Sequence, residues 1–160
     1  MILYFLRHAE AEDSGPSGDF SRRLTDNGLQ RSREAGEALG ALKLGIDLIL
    51  TSPLVRAEQT AAIVGQVLGV EVRPEKILGG NFDLHGLAEI VAHNRTARDL
   101  LLVGHEPDFS YVVGQLTGGA NVEMKKGAVA CVETQGLARG SGTLKWLLTG
   151  RQMALMQAAK

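Results

Sequence analysis

The sequence has very little cysteine, since Cys131 is the single thiol in 160 residues. One cysteine cannot form an internal disulfide, and it cannot supply a thiolate metal cluster. A chain of this length can bury a core without such cross-links. Cys131 lies in the apolar run AVACV, where a free thiol is expected to be inert core. The sequence therefore predicts a domain stabilised by hydrophobic burial.

The chain also lacks a basic excess and a long hydrophobic run. It has 17 lysines and arginines against 18 aspartates and glutamates, a formal charge of −1, which argues against a general nucleic-acid-binding protein. The first apolar run, MILYFL, ends at Arg7, and no basic region precedes it. That run is too short for a signal peptide or a membrane span. We expect a soluble, cytoplasmic protein with no nucleic-acid or membrane partner.

Internal repeats, low-complexity blocks and linkers are absent from the sequence, so a single domain over residues 1–160 is predicted. Strand-like and helix-like apolar patterns alternate, which is typical of an α/β fold with a mainly parallel sheet flanked by helices on both faces. Such a fold is a three-layer sandwich. The predicted strands are 1–6, 47–53, 100–103, 128–133 and 143–148, and the predicted helices are 25–42, 53–68, 84–92 and 107–116, with the second helix opening at Ser52-Pro53.

Local signals predict where several helices begin and end. Thr25 is the expected N-cap of the first helix. Ser52 is expected to cap the second helix, with Pro53 at its first position and Gly69 after its last. Residues 151–160 fit either a terminal helical turn or a frayed tail.

Charged and imidazole side chains follow three of the predicted strands. The first strand ends in Arg7 and His8, the second is followed by Arg56, and the third by His105. Carboxyl ends of parallel strands share one edge of a sheet, which is where α/β proteins keep their sites. The topology therefore predicts that these four side chains converge, although each of them alone could be structural.

Two arginines and two histidines at one edge favour phosphoryl transfer. Guanidinium groups bind phosphate oxygens with a planar fork of donors, and a neutral imidazole is a competent nucleophile toward phosphorus. Such a transfer needs an in-line nucleophile and positive groups around the equatorial oxygens. The sequence has no HxxxH or HxH spacing, no Cys/His cluster and no phosphate-binding GxxxxGK[ST] loop. We expect neither a metal nor a cofactor.

Four short motifs resemble those of the histidine phosphatase superfamily, also called the phosphoglycerate-mutase-like fold. Leu6-Arg7-His8-Ala9 is similar to its Arg-His-Gly/Ala signature. The segments SRRLTDNG, TSPLVRAEQTA and VGHEP follow at intervals similar to those of its small SixA-type phosphohistidine phosphatase branch. The resemblance runs from residue 1 to at least residue 148, and it implies a phosphoglycerate-mutase-like fold.

The resemblance also implies roles for the residues at the sheet edge. His8 would be the nucleophile that becomes phosphorylated, and Arg7 would bind the phosphate beside it. Arg56 would be a further phosphate ligand, and His105 would stabilise the transferring phosphoryl group.

A fifth site residue is expected on the loop before the first helix. Arg22, two residues before Leu24, matches the arginine that binds phosphate in the family. Arg23 is the rival for this place. A solvated loop charge is the alternative interpretation of Arg22.

The sequence departs from the family pattern in ways that concern the proton donor. Ala9 stands where much of the superfamily has glycine, although the SixA-type branch accepts alanine. Glu106 puts a carboxylate beside His105. No clear acid corresponds to the proton donor of mutase-like members, and the candidates are Asp83, His85 and Glu106.

These observations predict a metal-independent phosphatase that hydrolyses phosphohistidine on a protein through a phosphorylated His8. Only about thirty residues separate Gly69 from Leu100, too few for large lid segments, so the site should be open and should admit a partner such as a phosphotransfer domain. The alternatives are a small-molecule phosphomonoesterase or mutase using the same site, and a non-catalytic module that binds phosphate or a phosphoprotein. The oligomeric state is left open.

Overall fold

A six-stranded mixed sheet organises the protein, which a computed structural model describes over residues 1–159. The strands are β1 (Ile2–Arg7), β2 (Leu48–Thr51), β3 (Val72–Pro74), β4 (Asp99–Gly104), β5 (Val129–Thr134) and β6 (Gly142–Leu148). The helices are α1 (Asp26–Ala41), α2 (Val55–Leu68), α3 (Leu84–His93), α4 (Asp108–Leu116) and α5 (Gly150–Ala158). Two 3₁₀ turns, Asp19–Ser21 and Lys76–Gly79, lie in the connections.

The strand order is β3-β2-β4-β1-β5-β6. β1 pairs in parallel with β4, and β2 pairs in parallel with both β4 and β3. β5 runs antiparallel to β1 and to β6. The four parallel strands therefore end at one edge of the sheet, with β1 near the middle. The predicted α/β class is confirmed, and the last two strands form an antiparallel pair.

Helices cover both faces of the sheet because the apolar side chains of each strand alternate between the faces. Leu3 and Phe5 of β1 lie in a core layer with residues of α3 and α4. Tyr4 and Leu6 lie in a second layer with residues of α1, α2 and α5. The predicted three-layer sandwich is thus observed. No helix within residues 1–159 has the length and apolar content needed to cross a membrane.

The predicted start of the second helix is wrong by two residues. α2 begins at Val55, and Leu54 is its N-cap. Ser52 still follows the strand register, because its N–H donates to the Val103 carbonyl of β4. The predicted end is correct, since Gly69 follows the helix with a φ of 68°, in the left-handed region that glycine tolerates.

The last segment is a helix and not a frayed tail. Thr149 accepts a hydrogen bond from the Gln152 N–H, and the Gln152 side chain accepts one from the Thr149 N–H. This capping box stabilises the start of α5. Met153, in the first turn, is buried in the core layer that α5 shares with α1.

The start of α1 lies against the loop that leaves β1. Thr25 caps α1 as predicted, accepting a hydrogen bond from the Gly28 N–H at 3.0 Å. The Thr25 N–H donates to the Glu10 carbonyl. A Cβ atom at Gly28 would lie 2.0 Å from that carbonyl oxygen. Glycine at this position therefore lets the helix approach the backbone that follows the site residues.

Candidate active site

The structure brings together the four residues that the strand ends predicted. Arg7 is the last residue of β1 and His8 follows it, while His105 directly follows β4. Arg56 lies in the first turn of α2 and is buried, with 7% of its surface exposed. The ring centroids of His8 and His105 are 5.2 Å apart, and Arg56 Nε is 3.1 Å from His8 Nε2.

The hydrogen bonds of His8 assign its tautomer. Its Nδ1 lies 2.7 Å from the Ala9 carbonyl oxygen, which can only accept, so Nδ1 carries the proton. Nε2 then presents a lone pair, which accepts from Arg56 Nε–H. Burial lowers the pKa of His8 to about 3 despite the Ala9 hydrogen bond, and the nearby His105, Arg56 and Arg7 lower it further. The imidazole is therefore neutral at neutral pH, and the lone pair of its Nε2 is directed toward Arg56.

His105 is held by a residue that the sequence indicated only as a helix cap. Its Nε2 lies 2.7 Å from Ser52 Oγ, and the Leu54 N–H donates to the same oxygen at 3.2 Å. Its Nδ1 is buried and has no hydrogen-bond partner among residues 1–159. Burial, followed by the charge of Arg56, lowers the pKa of His105 to about 4. The strand-end position of Ser52, level with His105, is the signal that could have suggested this contact.

One nitrogen of the Arg7 guanidinium donates a hydrogen bond, and another is buried without a partner in the described residues. Its Nη1 donates to the Met124 carbonyl at 2.9 Å, which fixes the guanidinium against the loop before β5. Its Nε is buried and lacks a partner within the described part of the chain. Burial lowers the pKa of Arg7, partly offset by the charge of Glu106. A buried donor without a partner is uncommon in proteins and marks a place where an anionic oxygen would bind.

Arg22 is close to Arg56 because both arginines bind Asp19. Arg56 Nη1 donates to the Asp19 carbonyl at 2.9 Å, and Nη2 donates to Asp19 Oδ2 at 3.2 Å. Arg22 Nη1 donates to Asp19 Oδ1 at 3.0 Å, and its Nε donates to the Glu12 carbonyl. Arg23 is exposed to solvent. The bridging role of Asp19 was missed, since the residue lies in a polar loop with no motif of its own.

The candidate proton donors have structural contacts. Asp83 caps α3 by accepting from the Gly86 N–H at 2.9 Å. His85 is 83% exposed and lies 3.0 Å from a Glu89 carboxylate oxygen. Glu106 accepts hydrogen bonds from the backbone N–H and the hydroxyl of Ser110.

Residues 1–159 contain no cluster of three or more histidine, cysteine, aspartate or glutamate side chains that could hold a metal ion. The positive charge at this edge of the sheet comes from arginines, which bind anions and repel cations. The arrangement is therefore suited to an oxyanion such as a phosphoryl group.

Comparison with known proteins defines the class. The sequence profile of the histidine phosphatase superfamily (branch 1) matches residues 3–80, which include His8, Arg22 and Arg56. Phosphohistidine phosphatase SixA of Escherichia coli (strain K12) is 31% identical over 163 residues, covering 99% of both chains. The chain belongs to the histidine phosphatase superfamily. The predicted enzyme class, a phosphatase, is confirmed at this level.

The particular relatives are small proteins of similar length. The phosphohistidine phosphatase SixA homolog of Haemophilus influenzae (strain ATCC 51907 / DSM 11121 / KW20 / Rd) is 29% identical, over 76% of this chain and 80% of its own. The solved structure of the protein histidine phosphatase SixA complexed with tungstate has a TM-score of 0.84 at 29% identity, covering 96% of this chain and 99% of that one. The predicted likeness to the SixA-type branch is confirmed.

Proposed function

We propose that the chain is a metal-independent phosphatase that hydrolyses phosphohistidine on a protein through a phosphorylated His8. The observation that carries this proposal is the orientation of the His8 imidazole. Its Nδ1–H donates to the Ala9 carbonyl, so its Nε2 lone pair faces Arg56, while the preceding residue, Arg7, has a buried Nε with no partner among residues 1–159. A neutral nitrogen among fixed cations is what an attack on an anionic phosphoryl group requires.

In the first step, His8 Nε2 forms a bond to phosphorus in line with the leaving nitrogen of the substrate. The P–N bond of the substrate breaks, and its electron pair stays on that ring nitrogen. With a proton already on its other ring nitrogen, the substrate imidazole leaves neutral, and the phosphorylated His8 ring, which keeps its Nδ1–H, carries the positive charge. Arg7, Arg22, Arg56 and His105 stabilise the charge spread over the three equatorial oxygens. In the second step, a water oxygen bonds to phosphorus, and the electron pair of the P–Nε2 bond returns to His8. Phosphate then leaves.

The substrate class is supported by the limited cover over the site. Residues 70–99 form β3, the 3₁₀ turn Lys76–Gly79 and α3, which lie at the sheet edge or in its core layer. None of these elements is a long inserted lid. An open site can receive a phosphohistidine on the surface of another protein, such as a phosphotransfer domain. An imidazole leaving group also needs less acid assistance than an alkoxide, and the candidate acids Asp83 and Glu106 already accept hydrogen bonds from α3 and α4.

The proposal is tested by trapping the phosphoenzyme. Wild type, His8→Ala and a control, His93→Ala, are incubated briefly with a phosphotransfer domain carrying radiolabelled phosphohistidine. His93 is an exposed histidine at the end of α3. Wild type and His93→Ala should acquire acid-labile, alkali-stable label and release phosphate, with or without a chelator. His8→Ala should do neither.

Appreciable turnover by His8→Ala would contradict the nucleophile assignment, and loss of activity in the chelator that added metal restores would contradict metal independence. The same assay run on sugar phosphates and phosphoglycerates measures substrate preference. A higher kcat/KM on one of these small phosphomonoesters would favour the small-molecule enzyme, and phosphate binding without turnover would favour a binding module.

A further inference from the structure

The carboxylate of Asp19 occupies the space between two arginines assigned to phosphate binding. Oδ1 accepts from Arg22 at 3.0 Å and Oδ2 accepts from Arg56 at 3.2 Å. Neither partner is fully exposed, with 23% of the Arg22 side chain and 8% of the Arg56 side chain open to solvent. The free protein therefore already holds an anion at this place.

The donors of Arg56 are shared between the nucleophile and this carboxylate. Its Nε points to His8 Nε2, while Nη1 and Nη2 point to the backbone carbonyl and the carboxylate of Asp19. A phosphoryl group beside His8 Nε2 needs the same guanidinium for its equatorial oxygens. Carboxylate and phosphoryl oxygens are alternative partners for one arginine fork. The two anions therefore compete.

Asp19 can leave without disturbing the fold. It lies in the short 3₁₀ turn Asp19–Ser21, and 64% of its side chain is exposed. Its backbone carbonyl holds Arg56 Nη1 independently of the carboxylate. Rotation of the side chain would therefore free one donor on each arginine while Arg56 remains anchored. The hydrogen bond from Arg22 holds the pKa of Asp19 below its ordinary value, so the carboxylate is charged across neutral pH.

We propose that Asp19 is a specificity-determining residue whose carboxylate fills the anion position between Arg22 and Arg56 and is displaced by an incoming phosphoryl group. This inference rests on the proposed function, since it concerns the same arginines. A singly charged anion is attracted to the arginines no more strongly than the Asp19 carboxylate is. It must also compete with that carboxylate at the high effective concentration that the chain imposes. A doubly charged phosphoryl group carries more charge and a third terminal oxygen. Asp19 thus excludes carboxylates and other monoanions from the site.

The test measures the affinity of tungstate and of inorganic phosphate by calorimetry for wild type, Asp19→Asn and Asp13→Asn. Asp13 is an exposed acid in the same loop and makes no ion pair among the described residues, so its variant makes the same charge change without removing a partner of Arg22 or Arg56. Removing the competing charge should tighten tungstate binding on the order of tenfold in Asp19→Asn. Asp13→Asn should stay within about twofold of wild type, because an isolated exposed charge contributes little.

Two further measurements separate exclusion from simple organisation of the arginines. Acetate alone should bind Asp19→Asn measurably at concentrations at which wild type shows no binding, and the KM for the phosphorylated protein should fall in Asp19→Asn. Equal or weaker tungstate binding by Asp19→Asn would overturn the inference. That result would mean that the carboxylate only positions Arg22 and Arg56 for the ligand, because its removal would then fail to raise the affinity for tungstate. If the wild type still turns over and acquires label, the proposed function survives that result. If neither protein binds tungstate, the anion site fails, and both proposals fail with it.

Discussion

Each imidazole at the sheet edge has one ring nitrogen committed to a fixed neighbour. For His8 the neighbour is the carbonyl of the next residue, and for His105 it is the Ser52 hydroxyl. The remaining nitrogens, His8 Nε2 and His105 Nδ1, are the ones that face arginine or have no partner within residues 1–159. At the scale of single residues, each ring is therefore held by one contact that does not involve an arginine.

Ser52→Ala tests this dependence at His105. The variant removes the hydroxyl that holds Nε2, so the ring should lose its fixed orientation, and kcat/KM should fall by roughly tenfold or more. Stability should fall by about 1 kcal/mol, the usual cost of a lost buried hydrogen bond. The measurements are steady-state kinetics and urea unfolding, with Ser14→Ala at an exposed loop position as the control. Unchanged kcat/KM would remove Ser52 from the site.

Substitution of the neighbouring arginines tests the assignment of the loop ligand. Arg22→Ala should reduce kcat/KM by roughly a hundredfold, because a donor to the developing charge is lost. Arg23→Ala should change it by less than about threefold, since Arg23 is exposed and its neighbour makes the Asp19 contact. The two variants carry the same charge change one residue apart. The reverse order would move the ligand to Arg23.

At the scale of helices and strands, many of the element ends were predictable because the sequence signals for them are local. Thr25 and Gly69 marked helix ends through cap chemistry that acts within a few residues, and the strand ends located His8 and His105. The start of α2 was not predictable from Ser52 and Pro53, because Ser52 is engaged by β4, a strand that lies fifty residues later.

The contact of Asp19 with two arginines is equally non-local. It depends on a loop folding back over α2, which no short-range pattern encodes. Asp19, Arg22 and Arg56 each read as ordinary charged positions when taken separately. The Thr149 and Gln152 capping box is different, because it is a local signal: its Thr-x-x-Gln spacing directly follows the predicted end of the last strand at residue 148, and it was overlooked.

Gly28, at the start of α1, allows a prediction about the stability of this helix. Replacing a helical glycine with alanine normally stabilises a helix by roughly 0.5–1 kcal/mol. Gly40→Ala should do so, because its Cβ would meet Leu68 at an ordinary 3.5 Å. Gly28→Ala should instead destabilise by roughly 1–3 kcal/mol and reduce activity, since its Cβ would clash with the Glu10 backbone. Urea unfolding of both variants checks the sign, and a stabilised Gly28→Ala would contradict the tight approach.

At the scale of the whole molecule, the site makes folding depend on pH. The pKa of His8 is about 3 in the folded protein and near 6.5 in an unfolded chain, because burial opposes the charged form. Between these values the unfolded chain binds a proton that the folded protein does not. The titration of His8 therefore leaves the free energy of unfolding unchanged above about pH 6.5 and lowers it progressively as the pH falls from 6.5 toward 3.

Removing His8 should reduce this dependence. From pH 7 to pH 5, wild type should lose about 1–2 kcal/mol more unfolding free energy than His8→Gln, because the variant lacks the titrating ring. Urea unfolding of both proteins at the two pH values measures the difference, and carboxylates common to both cancel. Parallel curves would show that the folded protein tolerates a charged His8.

The strand that carries Arg7 also links the beginning of the chain to its later parts. β1 precedes the other five strands in the sequence, yet it lies between β4 and β5, pairing Ile2 with Asp99 on one side and Glu133 on the other. A growing chain on the ribosome must therefore keep an apolar strand unpaired until residues far downstream emerge, and such long-range pairing is slow and open to aggregation. The surroundings of His8 cannot form until β5, which pairs with β1 and ends at Thr134, has left the exit tunnel. Until then the apolar strand β1 lacks at least one of the two strands that it pairs with, which is the state in which a chain is prone to aggregate.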